Sequence, residues 1–223
     1  MKRIKILVGS YGSGKSELCV NMAMGYRKEG KPVVLVDLDV INPYYGSSNM
    51  KEQLEKAGVR VVVPPLFRTG VDLPALGPEV MSAFAHREEE AIFDVGGDAT
   101  GATVLGRYKP FFEKEGYEML FIMNLFRPDT TNERDALALM DTIEAKSRMH
   151  ITGIINNTHL AQLTTAEQVM EGQKLAEACA KARGIAVEAI AAKPDIAEKL
   201  PEAWRDLVWT LDLALHPKAR YGF

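Results

Sequence analysis

Eight consecutive residues, Gly9-Ser10-Tyr11-Gly12-Ser13-Gly14-Lys15-Ser16, fit the pattern G-x-x-x-x-G-K-[ST]. The glycines let main-chain amides curl around an anion at backbone angles that side chains resist. Lys15 brings a point charge toward the β- and γ-phosphates of a nucleotide. Ser16 brings a hydroxyl toward Mg²⁺ at the positive end of the helix that must begin here. Together with Glu17 in the next helical turn, Gly9, Tyr11, Gly12, Ser13, Gly14, Lys15 and Ser16 form the first set of expected ligand contacts.

Two further segments end apolar runs in carboxylates. Val33-Val34-Leu35-Val36 leads to Asp37 and Asp39, two positions apart and so on one side of a strand that continues through both. One of them can support a metal through water while the other orients an attacking water. Ala91-Ile92-Phe93 leads to Asp94, expected as a Mg²⁺ carboxylate, and Asp94-Val95-Gly96-Gly97 has the D-x-x-G form of a γ-phosphate sensor, with Gly97 offering its amide. Asp98 and Thr100 fit a supporting role and fit helix capping equally well.

These residues need a scaffold that brings strand ends together. Short apolar runs at 4–8, 33–37, 59–63, 91–94, 119–124, 151–156 and 185–190 alternate with helical patterns such as 16–29, 77–86, 131–148 and 166–183. Strands this apolar suit a parallel sheet covered on both faces, with ligands beyond its carboxyl edge. Residues 41–75, with Asn42-Pro43 and Pro64-Pro65, read as loop-rich. Residues 201–215 read as a closing amphipathic helix at the sheet edge, with a dimer contact as the alternative.

Bulk properties narrow the classes. At 223 residues the chain suits a single domain, residues 1–223, and its 47% apolar and 26% charged content excludes a disordered composition. A net charge of -3 with no basic run indicates neither nucleic acid nor membrane as partner. Lys2 and Arg3 precede an apolar run that is far too short for a signal or a span, so a cytoplasmic location is expected. Cys19 and Cys179 read as small buried hydrophobes, and His159 as a loop residue rather than a metal ligand.

Residues 9–16, the aspartates Asp37 and Asp39, and residues 94–97 together resemble the MinD/ParA/CobB branch of the SIMIBI class of P-loop NTPases. The resemblance implies a three-layer α/β fold with a mostly parallel sheet of about seven strands and helices on both faces. It implies that Asp39 acts near the attacking water, that Asp37 supports the metal site with Ser16, and that Asp94 is the Walker B carboxylate. It also implies that Asn156 and Asn157, and then Lys193 and Pro194 after the last strand, contact the base. Asn157-Thr158-His159-Leu160 lacks the aspartate that reads guanine, so ATP and ADP with Mg²⁺ are the expected ligands. One departure stands out: Ser10 occupies the position of the branch's signature lysine, which removes the lysine-dependent dimer switch while leaving a homodimer open.

Three functions follow. The first is a Mg·ATPase that acts as a nucleotide switch for a partner protein. The second is a small-molecule kinase or an ATP-dependent amide-forming ligase, like CobB and dethiobiotin synthetase, with Tyr44, Tyr45, Arg68 and Asp72 holding the acceptor and Arg127 steadying phosphate or carboxylate. The third is a nucleotide-binding regulator with little turnover. All three require the same anchor. Lys15→Ala should abolish tight binding of ATP·Mg in equilibrium titrations, and retained micromolar affinity would place the phosphates elsewhere.

Overall fold

The computed structural model describes residues 2–39, 48–63, 77–97 and 99–211. Asn42, Pro43, Tyr44, Tyr45, Arg68, Asp72 and Asp98 lie outside the described residues.

Eight strands form one sheet: β1 (Ile4–Val8), β2 (Val33–Asp37), β3 (Val59–Val62), β4 (Glu90–Asp94), β5 (Tyr117–Met123), β6 (Gly153–Asn156), β7 (Ala186–Ala192) and β8 (Val208–Thr210). Their spatial order is β3-β2-β4-β1-β5-β6-β7-β8, and every pairing among them is parallel. Parallel neighbours need crossovers, and helices supply most of them: α1 (Lys15–Lys28), α2 (Ser48–Lys56), α3 (Pro78–Ala85), α4 (Ala99–Arg107), α5 (Lys109–Glu115), α6 (Glu133–Ser147), α7 (Ala166–Arg183) and α8 (Pro194–Ala197).

Side chains alternate between the two faces of the sheet, as the period of a strand requires. Ile4, Ile6 and Val8 of β1 join Val34, Val36, Phe93 and Phe121 in a core shared with α3, α4, α5 and α6. Leu7 joins Leu35, Ile92 and Ile122 on the other face, against Leu18, Cys19 and Ala23 of α1. Both free cysteines are buried, and burial pushes the Cys179 thiol up to about 11. Phe112 is fully buried in the first core. Its ring meets Phe93 edge-on at 4.9 Å and Phe84 at 5.0 Å between centroids.

Two readings need correction. Residues 48–56 form a helix inside the stretch expected to be loop-rich, because the proline and glycine signals lie on either side of it. Where a closing helix was expected over 201–215, the described part, residues 201–211, is instead a 3₁₀ turn, Glu202–Leu207, followed by strand β8. Val208, Trp209 and Thr210 pair with Ile190, Ala191 and Ala192, so β-branched and aromatic residues extend the sheet where a helical period was read. The segment does close the sheet edge among the described residues, as a strand.

Phe112→Ala should cost about 3–5 kcal/mol of stability through the lost burial and the cavity left behind. Urea denaturation measures it, and a loss under about 1 kcal/mol would mean the aromatic cluster is not a packed core.

Candidate nucleotide-binding site

The turn between β1 and α1 is held in its shape by main chain on several sides. Gly9, Gly12 and Gly14 have φ of 145°, 71° and 91°, the left-handed region that a side chain resists. A β-carbon on Gly9 would sit 2.5 Å from the Ile122 carbonyl oxygen, so β5 leaves no room for one. Gly14 immediately precedes α1, and no side chain caps that helix end. The first amides of α1 therefore face the turn with their positive end, which suits an anion.

Lys15 is 7% exposed, and its Nζ donates to the carbonyls of Gly9 at 3.1 Å and Ser10 at 2.9 Å. The ammonium is thus folded back across the mouth of the turn. Ser10 and Ser13 bury their hydroxyls without hydrogen-bond partners among the described residues. Ser16 and Glu17 follow in the first turn of α1, both half-buried.

The carboxylates arrive from two adjacent strands. Asp37 ends β2 and Asp94 ends β4, and the register sets them side by side, 2% and 1% exposed. Asp94 is also level with Leu7, one residue before the end of β1. The Asp39 amide donates to Asp37 Oδ1 at 3.0 Å, which bends the chain so that the Asp39 carboxylate lies over Gly96. Gly97 packs against the glycine-rich turn itself: a β-carbon there would be 2.6 Å from the Tyr11 nitrogen. Lys15, Asp37, Asp39, Asp94 and Gly97 are therefore gathered at one end of the turn. Tyr11 projects from it, 73% exposed.

The other end of the turn meets the loops after β5 and β6. Asn157 donates its amide to the Ser13 carbonyl at 2.8 Å and leaves no space for a side chain at Gly14. Asn156 turns away: its amide donates to the Val169 carbonyl at 3.0 Å in α7, and its oxygen accepts from the Thr158 amide. Lys193 precedes α8, and Pro194 opens that helix, exposed. His159 lies against Gly14 as well. Burial, with the positive charges of Arg127 and Lys193 nearby, pushes the His159 imidazole down to about 4.

Two participants went unread in the sequence. Asn124, fully buried just beyond β5, accepts from the amides of Phe126 and His159 through one oxygen and donates to the His159 carbonyl. It clamps the loop that carries Asn157. Gly172 of α7 touches Thr158 and Asn156 so closely that a β-carbon would collide with both. An asparagine ending an apolar strand was the available signal for Asn124, and it resembles the one that pointed to Asn156 and Asn157.

Ser16 and the aspartates offer oxygen donors, the ligand type that suits a hard cation such as Mg²⁺. Among the described residues no group of three or more His, Cys, Asp or Glu could hold a metal. No helix among the described residues is long and apolar enough to cross a membrane.

No protein-family model matches the chain, and no curated protein matches its sequence. Solved structures do match in fold. The cell division protein FtsY from Thermotoga maritima is 21% identical with a TM-score of 0.59, over 88% of this chain and 63% of its own. FlhF complexed with GTP and Mg²⁺ is 15% identical with a TM-score of 0.55, over 85% of this chain and 65% of its own. The signal recognition particle 54 kDa protein from Aeropyrum pernix K1, in complex with GDP, is 20% identical with a TM-score of 0.52, over 84% and 40%. The chain thus spans less than two thirds of the length of these proteins. At such identities the likeness establishes the fold alone, a three-layer α/β arrangement with a parallel sheet between helices. It lends the MinD/ParA/CobB branch no separate support.

The His159 shift has a consequence for stability. The imidazole takes a proton near 6.5 when unfolded and near 4 when folded, so between those values the unfolded state binds more protons. Stability should be complete above pH 6.5 and fall as pH drops toward 4. His159→Gln should flatten that part of the profile in denaturation experiments, and an unchanged slope would mean that the ring is solvated.

Proposed function

We propose that the chain binds a purine nucleoside triphosphate with Mg²⁺ and hydrolyses it, using the change at the γ-phosphate to switch its contact with a partner protein. One observation carries this reading: the uncapped start of α1 and its glycine turn meet Asp37, Asp39, Asp94 and Gly97 at one sheet edge. Bound Mg²⁺ would neutralise charge on the β- and γ-phosphates, held by Ser16 directly and by Asp37 and Asp94 directly or through water. Lys15 swings from the Gly9 and Ser10 carbonyls onto the phosphates. Asp39, lying over Gly96, orients the attacking water, and the Gly97 amide meets the γ-phosphate. Hydrolysis removes that contact and frees the loop.

For the base, the reading is ATP. Asn157 is fixed beside the turn, and two residues further on comes His159, then Leu160, which is apolar and 39% exposed. That loop offers no carboxylate to accept from a guanine amino group. GTP is the second reading, favoured by the guanine nucleotides named in the FlhF and 54 kDa protein structures. Asp195, exposed in the first turn of α8, would then supply the acceptor. A small-molecule kinase or amide ligase differs from a switch in needing an acceptor, and a regulator differs in lacking turnover. The single domain and the cytoplasmic location belong to the same proposal.

The test combines titration with turnover. ATP·Mg should bind at least about tenfold tighter than GTP·Mg, the effect of about 1.4 kcal/mol of base discrimination. Asp39→Asn should keep that affinity and slow hydrolysis by about two orders of magnitude or more. Tighter GTP binding would select the second reading, and equal turnover in the variant would remove Asp39 from the mechanism. A burst of ADP that depends on an added acid or amine would select the small-molecule enzyme.

A further inference from the structure

Sheet order divides the phosphate turn into two unlike flanks. On the side of β2 and β4 stand Asp37, Asp39, Asp94 and the Gly97 loop, seated on Tyr11. On the side of β5 and β6 stand Arg127, Asn157 and His159, seated on Gly12 and Gly14. The γ-phosphate belongs to the first flank, where the carboxylates and the sensor loop converge. The nucleoside end of the ligand therefore crosses the second.

Arg127 is built into that second flank. Its amide donates to the Asn124 carbonyl at 2.9 Å, and Thr130 Oγ1 donates to the same carbonyl at 2.6 Å, so a buried turn fixes its backbone. A β-carbon on Gly12 would lie 3.1 Å from its Cζ, 3.2 Å from Nε and 3.3 Å from Nη1. Near-equal distances to three coplanar atoms mean that the guanidinium covers Gly12 with its face, leaving its edge for another partner. Nε is buried without a hydrogen-bond partner, and no carboxylate pairs with the side chain among the described residues. A half-buried cation lacking a counter-charge is costly, and five N–H donors in a planar fork match the oxygens of a phosphate. The groups around it reinforce the sign. Burial first, and then the charges of Arg127 and Lys193, push the His159 imidazole down to about 4.

We infer that Arg127 is a nucleotide-binding residue that holds the α-phosphate at the nucleoside end of the turn, and so contributes equally to diphosphate and triphosphate complexes. It differs in this from Lys15, whose target is the β–γ end. It supplies a second cation from within the same chain, on the turn where Ser10 contributes none.

The inference rests on the nucleotide reading, and the experiment separates the two. Calorimetric titration of the wild type, Arg127→Ala and Arg127→Lys would use ADP·Mg and a non-hydrolysable ATP analogue with Mg²⁺, with thermal melts to confirm folding. Arg127→Ala should lose about tenfold to hundredfold in affinity, the range for a hydrogen bond to a charged group, by the same factor for both ligands. Arg127→Lys should fall between, because it restores charge without the fork, and it supplies the reading if the alanine variant does not fold. A loss confined to the triphosphate would move Arg127 to the γ-phosphate and overturn the assignment. Unchanged affinities in both variants would overturn it alone, whereas a wild type that binds neither ligand would overturn the nucleotide reading with it.

Discussion

The main chain of residues 9–14 has to turn from the central strand into α1 in a space walled by other main chain. Ile122 of β5 stands behind Gly9, the Asn157 amide holds Ser13, and Gly97 presses on Tyr11. Each contact excludes a β-carbon or ties down a carbonyl, so the turn's shape is set by packing rather than by any ligand. Its amides are therefore oriented before an anion arrives, and little ordering cost is left for the binding step. Every other feature of the site is arranged relative to this turn.

The charge distribution follows from strand order. Because β4 and β2 lie to one side of β1, and β5, β6 and β7 to the other, acidic strand ends collect on one flank and basic loops on the other. A polyphosphate with Mg²⁺ has a matching asymmetry. Its metal-bearing end wants carboxylates and its other end wants cations. The inserted position of β4, between β2 and β1, puts Asp94 beside both Asp37 and the strand that leads into the turn.

Much of this was legible in the residues because it depends on short-range patterns. The apolar runs that became β1 and β2 are buried along their whole length, which is why they read as strands of a covered parallel sheet. Glycine spacing announced the turn without need of tertiary context. What stayed hidden depends on packing. Trp209 and its neighbours have a helical period by accident of spacing, and only an open sheet edge at β7 makes them a strand. Helix α2 was masked by the breakers around it. The face-on placement of Arg127 and the clamp made by Asn124 join residues from different loops, and no local pattern encodes such a meeting. The distinct fates of Asn156 and Asn157, adjacent in sequence, turn on which side of the chain α7 packs.

Helix α4 has an unusual seat. At Gly101 its backbone rests directly on Gly96, where a β-carbon would come within 2.8 Å of the Gly96 α-carbon. One and a half turns later, Gly106 rests in the same way on the backbone of Ser147 at the end of α6, and its carbonyl accepts from Arg148 at 2.8 Å. Bare backbone on bare backbone has no rotamers with which to cushion a push. The two glycines seat α4 on main chain at the aspartate–glycine loop and again at the far end of α6, so a larger residue at either position has to displace a backbone rather than a rotamer.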